Sequence, residues 1–370
     1  MIAENIIAKI DPRFVGNGPF VLIGAMSGTS LDGLDLVRVR FWKNEEKGTW
    51  NKHVEETRWI SYQGGPWPAW LEKAYSSNQN KRQEIGFRYS QWLNAQLLDF
   101  KGNHSIHAIG SHGHTVAHEP SEGISLQIGN DAIVANGLGC PVVCDFRTAD
   151  VQRGGQGAPL VPVADQWLYS EFPVCLNLGG FSNASWEQNG IRYAGDLGPV
   201  NFILNPYAKQ LGYDFDPEGN MARQYSVDRP TLERLNVLKY YFEPFPKSLA
   251  REWVESQVFP QLNALGPSTA LATATAHAAH AIAMGLTHTA PGNVLVTGGG
   301  AKNTFLMEQL KAMSPRAFIL PPVEEIDFKE AICFAFLALL RLRGEVNVFA
   351  SVTGGACDGC DGRIFEDYMQ

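Results

Sequence analysis

Three glycine-rich segments, each placed directly after an apolar run that reads as a strand, constrain this chain more than any other feature: IGAMSGTSLDGLD, NLGGFSN and TGGGAKN. The first sets glycines and small hydroxyls between apolar runs at residues 20–24 and 36–41, and so predicts a hairpin whose tip can approach an anion closely. Gly28 and Gly33 permit that approach, Thr29 and Ser30 add hydroxyls, and Asp32 and Asp35 can stand beside a water-ligated cation. The same residues are also the ordinary material of a turn. The second segment, with Gly179 and Gly180 between runs at 174–178 and 182–186, repeats the order strand, glycine tip, strand. The third, Gly298, Gly299 and Gly300 followed by Asn303, reads as a strand-to-helix turn with free amides. One theme stated twice predicts a duplicated lobe.

A chain of 370 residues is too long for one comfortable core, and the Gly/Pro-rich stretch DFRTADVQRGGQGAPLVPVAD marks a junction, which predicts lobes over 1–150 and 151–370. Apolar content of 45% with 18% charged residues describes a soluble enzyme or binding protein. A net charge of −8 with no Lys/Arg-rich stretch argues against nucleic acid, whereas a local site supplied with magnesium can hold ATP in an acidic protein. Residues 1–14 lack a signal-peptide core, and the longest apolar run, 331–340, is about half of the roughly 20 residues a bilayer span needs, so no membrane is expected. Of 6 cysteines, four lie in or beside apolar segments, and Cys357 and Cys360 form a lone C-x-x-C without the second pair that zinc requires. A reduced, cytoplasmic protein is the expectation.

Further strands are predicted at 107–110, 141–143 and 293–297. Helices are predicted at 82–100, 131–138, 232–241, 249–261 and 269–287, with a final amphipathic helix over 327–343. The fold class is therefore α/β. The sequence has no G-x-x-x-x-G-K-[ST], so phosphate binding would fall to backbone amides, not to a lysine loop.

Eight segments, TGGGAKN among them, carry a resemblance to a known family; the others are MSGTSLDGLD, GSHGHTVAHEP, LQIGN, DFRTADVQRGGQGAPLVP, NLGGFSN, GDLGPVN and KEAICFAFLAL. Over nearly its whole length the chain resembles the anhydro-N-acetylmuramic acid kinases, a branch of the superfamily of sugar kinases, heat-shock ATPases and actin. That resemblance implies two ribonuclease-H-like lobes with an inter-lobe nucleotide cleft. ATP would lie between the first two glycine segments, with the third against the adenosine. The implied reaction opens 1,6-anhydro-N-acetylmuramic acid with water and phosphorylates its freed 6-oxygen, with ATP and Mg2+ as cofactors, in cell-wall recycling. A homodimer is implied as well.

By the same resemblance Asp196, in GDLGPVN, is the base that activates water, on a Gly- and Pro-bounded turn; alternatively it caps a helix starting near Pro199. Glu330 is implied to bind sugar hydroxyls, the alternative being an acid favoured by the start of its helix. Arg147 could pair with the lactyl carboxylate, or with Asp145 or Asp150. His112 reads as a substrate contact and His114 as a turn residue, while His277 and His280 read as core-edge residues. An H-x-H after a strand also begins some metal sites, so a metal-dependent hydrolase using His112 and His114 stays open, as does a nucleotide-dependent binding protein of the same fold. The chain departs from the pattern of its relatives at Met26, where the superfamily places an acid. It departs also at His114, Leu197 and Val200, where Gln, Thr and a small residue are expected. Asp32 and Asp196 are then the magnesium candidates.

Overall fold

Strand β1 (Phe20–Ser27) turns back into β2 (Gly33–Lys43), with Met26 opposite Asp35 and Ser27 opposite Leu34, and β2 pairs in turn with β3 (Trp50–Ser61). The computed structural model describes residues 10–28, 31–46, 48–119 and 122–367. Parallel to β1 runs β4 (Ala108–Glu119), which carries β5 (Ile124–Ile128) as an antiparallel partner and pairs in parallel with β6 (Val142–Cys144). A second five-stranded sheet is formed by β7 (Val174–Leu178), β8 (Phe181–Gln188), β9 (Ile191–Pro199), β10 (Val294–Thr297) and β11 (Phe318–Ile319). Finally β12 (Arg363–Phe365) returns antiparallel to β6 in the first sheet.

The two sheets share one topology. Their orders are β3-β2-β1-β4-β6-β12 and β9-β8-β7-β10-β11: an antiparallel three-strand meander whose first strand is flanked by parallel strands. This is the ribonuclease-H-like order, written twice. Each has its own core, built in the first around Ile23, Leu36, Tyr89, Leu93 and Ile109, and in the second around Leu176, Leu178, Ile203, Ala278 and Val296.

The chain divides into a unit of Met1–Leu168 with Phe328–Gln370 and a unit of Tyr169–Asp327. The first thus takes in residues beyond the division at 150 read from the Gly/Pro junction, because most of helix Val323–Leu342 packs on the first sheet. Its seat is a glycine pair: Gly24 and Gly110 are direct partners on β1 and β4, and a Cβ at either would fall on a helix carbonyl, that of Ala331 or of Phe334. Two bare positions let the helix axis approach the sheet that closely.

Strand β3 was not foreseen, and its composition explains why. WNKHVEETRWIS is an edge strand with no apolar run, held to β2 by side-chain ion pairs of Arg38 with Glu55 and Glu56 and of Arg40 with Glu55, at 2.6–3.0 Å. No helix among the described residues is long and apolar enough to cross a membrane. Four cysteines, Cys140, Cys144, Cys175 and Cys333, are buried and free, as expected of small hydrophobes; Cys357 and Cys360 are also free.

Candidate active site

In the first unit, the tip of the β1–β2 hairpin spans residues 28–32, with Leu31 at φ +58. Gly28 and the exposed Asp32 belong to that tip, whereas Gly33 and Asp35 lie within β2; Thr29 and Ser30 fall outside the described residues. Gly33 is a packing glycine, since a Cβ there would come 2.5 Å from the Ile60 carbonyl. Asp32 accepts the following amide, Gly33 N, at 3.1 Å.

Arg147 follows β6 and stands at the start of the short helix Thr148–Gln152. It does not pair with Asp145 or Asp150. Its Nε and Nη2 donate to Nε2 of His112 at 3.1 and 2.9 Å, and its Nη1 donates to the Gly157 carbonyl at 2.5 Å. A guanidinium has five N–H groups, so two remain, one on each terminal nitrogen, as a planar carboxylate requires. Asp150 is instead the brace of the loop that supplies Gly157. One of its oxygens accepts Gly157 N at 2.8 Å and the other accepts the Thr353 hydroxyl at 2.8 Å. Arg153 in the same loop is held by Asp361 at 2.5 and 2.8 Å. The tail VTGGACDGCDGRIF thus buttresses the Arg147 loop through Thr353 and Asp361.

His112 lies on β4, and both ring nitrogens are occupied. Nε2 accepts from Arg147 and Nδ1 donates to the Gly113 carbonyl at 3.0 Å, an assignment made from the partners. Burial, and then the Arg147 charge, hold its pKa well below the ordinary histidine value, so it is neutral. An imidazole whose Nε2 lone pair faces an arginine cannot ligate a metal there. His114 is not a turn residue: it is buried on β4, its Nδ1 2.9 Å from the Ser27 hydroxyl. Among the described residues no three His, Cys, Asp or Glu side chains gather as a metal site, and two open sheets replace the single barrel a metal hydrolase of that type would need.

Glu330 sits well inside helix Val323–Leu342, so Glu324 and Glu325, not Glu330, are the first-turn acids, and the helix-start reading of Glu330 falls. Solvent reaches its side chain, yet the protein around it pushes its carboxyl above the ordinary range, opposed first by Arg147 and then by Lys329. The glycine seat under Ala331 therefore also sets where Glu330 stands relative to Arg147. Lys329 points the other way, into a buried ion pair with Asp165 at 2.7 Å.

In the second unit the glycine turn joins β7 to β8. The Gly180 carbonyl accepts Val200 N and Phe202 N at 2.8 and 3.0 Å, and that of Gly179 accepts Asn201 N at 3.2 Å. These carbonyls, not Asp196, satisfy the start of helix Asn201–Gln210. The exposed Gly180 amide donates to nothing among the described residues. A Cβ would meet nothing nearer than 3.4 Å at Gly179 and 3.9 Å at Gly180 and at Gly299, so packing does not demand glycine there. Gly298 and Gly300 are different: a Cβ would come 2.6 Å from Asn177 Oδ1 and 2.9 Å from Leu178 Cβ. Asn303 caps helix Thr304–Met313, its Oδ1 accepting Leu306 N at 2.9 Å.

Asp196 lies on β9 opposite Asn183, not on a turn. Its own amide donates to the Lys247 carbonyl at 2.9 Å, and its Oδ2 accepts Leu249 N at 2.8 Å and the Ser248 hydroxyl at 3.4 Å. Burial pushes its carboxyl up, and the Leu249 and Ser248 bonds only partly offset it. A carboxylate held by one oxygen and raised in pKa is suited to accept a proton. His277 is a core histidine, satisfied by Tyr241 at 2.7 Å and Asn236 at 2.8 Å.

The family profile described as anhydro-N-acetylmuramic acid kinase matches residues 20–367. Curated proteins of that name are similar over nearly the full length. That of Roseobacter denitrificans is 34% identical, covering 98% of this chain and 96% of its own; that of Ruegeria sp. is 34% identical, covering 93% and 94%. The protein of Chromobacterium violaceum is 34% identical over 90% of this chain and 95% of its own. On this evidence the chain belongs to the anhydro-N-acetylmuramic acid kinase family.

Proposed function

We propose that this chain opens the 1,6-anhydro bridge of 1,6-anhydro-N-acetylmuramic acid with water and transfers the terminal phosphoryl of ATP to the freed 6-oxygen. The products are N-acetylmuramic acid 6-phosphate and ADP, a step of cell-wall recycling. The observation that carries this reading is the family match across residues 20–367. In the proposed reaction a water oxygen bonds to C1 as the C1–O6 bond breaks, Asp196 takes the water's proton, and O6 bonds to the γ-phosphorus as its bond to ADP breaks. The raised pKa and single-oxygen anchoring of Asp196 support that role.

Arg147 takes the lactyl carboxylate on its two remaining N–H groups, His112 acts by aiming it, and Glu330 accepts from sugar hydroxyls. The amide of Gly180, the room at Gly179 and Gly299, and the hairpin tip at Gly28 are what the chain offers to phosphates and nucleotide, in place of a lysine loop. Magnesium on the nucleotide neutralises phosphate charge. One or two carboxylates plus phosphate oxygens would suffice to hold it, and the exposed Asp32 or the free Oδ1 of Asp196 could each supply one. A cytoplasmic homodimer is the family's expectation carried to this chain.

The test is incubation with ATP, magnesium and the anhydro sugar, with mass analysis for a product heavier by one water and one phosphoryl. ATP consumption without that product, or no dependence on the sugar, sinks the reading.

A further inference from the structure

Ser27 is the last residue of β1 and stands immediately before the hairpin tip. It is 2% exposed, and its hydroxyl is the hub of a buried chain: Tyr62 donates to it at 2.6 Å, the Tyr62 and Tyr89 hydroxyls meet at 2.8 Å, and His114 Nδ1 lies 2.9 Å away. Burial lowers the His114 pKa to about 4, so the ring is neutral; because Ser27 accepts from Tyr62, its own proton is assigned to His114 Nδ1. Tyr62 grips the tip at its other end too, its backbone amide donating to the Asp32 carbonyl at 3.0 Å. Around the two tyrosines stand Trp92, 5.5 Å from Tyr62, and Trp67, 5.3 Å from Tyr89.

Phenylalanine would fill this aromatic box as well, and a buried hydroxyl costs free energy unless bonded, so the polar chain is there for what it holds. We propose that Ser27, Tyr62, Tyr89 and His114 are positioning residues that fix the two ends of the hairpin, at Ser27 and Asp32, so that the turn between them is presented to the nucleotide's phosphates, Tyr62 clamping both ends and His114 tying the first to β4. The inference rests on the reading that this tip carries phosphates.

The experiment is steady-state kinetics and thermal melting on Ser27→Ala, Tyr62→Phe, Tyr89→Phe, His114→Leu and His114→Gln. Loss of one net hydrogen bond at the hub is expected to raise the KM for ATP by up to about tenfold in Ser27→Ala and Tyr62→Phe, with the KM for sugar held within about twofold. Tyr89→Phe, one bond further out, has a smaller effect. His114→Leu behaves like Ser27→Ala, and His114→Gln, whose amide oxygen accepts from Ser27, restores the ATP value. An unchanged ATP KM in Ser27→Ala and Tyr62→Phe, or equal rises for both substrates tracking lost melting temperature, overturns the inference. Gly28→Val separates the two readings. If it too leaves the ATP KM unchanged, the tip does not carry phosphates; if it raises the ATP KM while the hub variants do not, the tip reading stands and the hub assignment alone fails.

Discussion

The backbone amide of Leu249 and the side chain of Asp196 are joined at 2.8 Å through Oδ2, leaving Oδ1 without a partner among the described residues. Asp196→Asn keeps that bond, because the amide oxygen can still accept, but removes the base. Turnover is expected to fall by about 10³-fold, within the range for losing a general base. The folded-state pKa of Asp196 is raised, so its ionisation opposes folding, and the stability it contributes at low pH is lost as pH rises through that pKa. The neutral variant should therefore melt no lower than the parent at pH 7. For the parent, kcat/KM should decline on the acid side at a pH above the ordinary carboxylate value. Near-normal turnover of the variant refutes the assignment.

Gly24 and Gly110 answer to packing alone. Gly24→Ala or Gly110→Ala sets a methyl against the backbone of Ala331 or Phe334, and neither carbonyl can swing aside as a flexible side chain would. Each is expected to cost roughly 3 kcal/mol, the upper part of the overpacking range, read as a lowered denaturant midpoint. A parental midpoint in both variants contradicts the helix seat.

Gly180 should behave in the opposite way. With 3.9 Å of clearance, Gly180→Ala is expected to unfold within about 1 kcal/mol of the parent. If its amide meets a phosphate, the added methyl raises the KM for ATP, by about tenfold for one disturbed charge-assisted bond. Titration of an ATP analogue against both proteins decides the matter; equal affinities would remove Gly180 from the nucleotide site.

Acid should loosen the protein before any carboxylate is protonated in bulk. His114 is held to about 4 and His277 to about 3, against an ordinary value near 6.5, so the unfolded chain binds protons that the folded chain refuses. The stability these residues confer is complete above about pH 6.5 and is lost as pH falls toward their folded values, at about 1.4 kcal/mol per pH unit for each. Melting curves between pH 7 and 5 should shift downward, and His277→Asn should shift less than the parent. A flat profile contradicts the neutral assignments.

What the sequence made legible follows from where apolar runs coincide with glycine. The runs at 174–178 and 293–297 became β7 and β10, interior strands bounded on both sides, and the hairpin at 24–35 and the Ala-rich helix Pro267–Leu286 followed the same signals. The ion-paired edge strand β3 carries no such signal. Helix Val323–Leu342 begins with polar residues that hide its first turn, which is why Glu330 read as its opening. Glycine itself carries two signals: in sequence Gly33, Gly298 and Gly300 look like phosphate-loop glycines, and only the neighbouring carbonyls and side chains show that packing demands glycine there as well. His112 and Arg147 are 35 residues apart, so their bond was beyond any spacing argument. GRIF could have signalled a closing strand by its alternation, but three residues are too few to weigh.

The second unit, Tyr169–Asp327, is one uninterrupted stretch, whereas the first needs both Met1–Leu168 and Phe328–Gln370. During synthesis the middle piece is thus complete while its predecessor still lacks the helix on its glycine seat and the β12 edge. The unit begun first is therefore the last to have all of its residues, and its sheet gains its final strand only when the C-terminal stretch has been made.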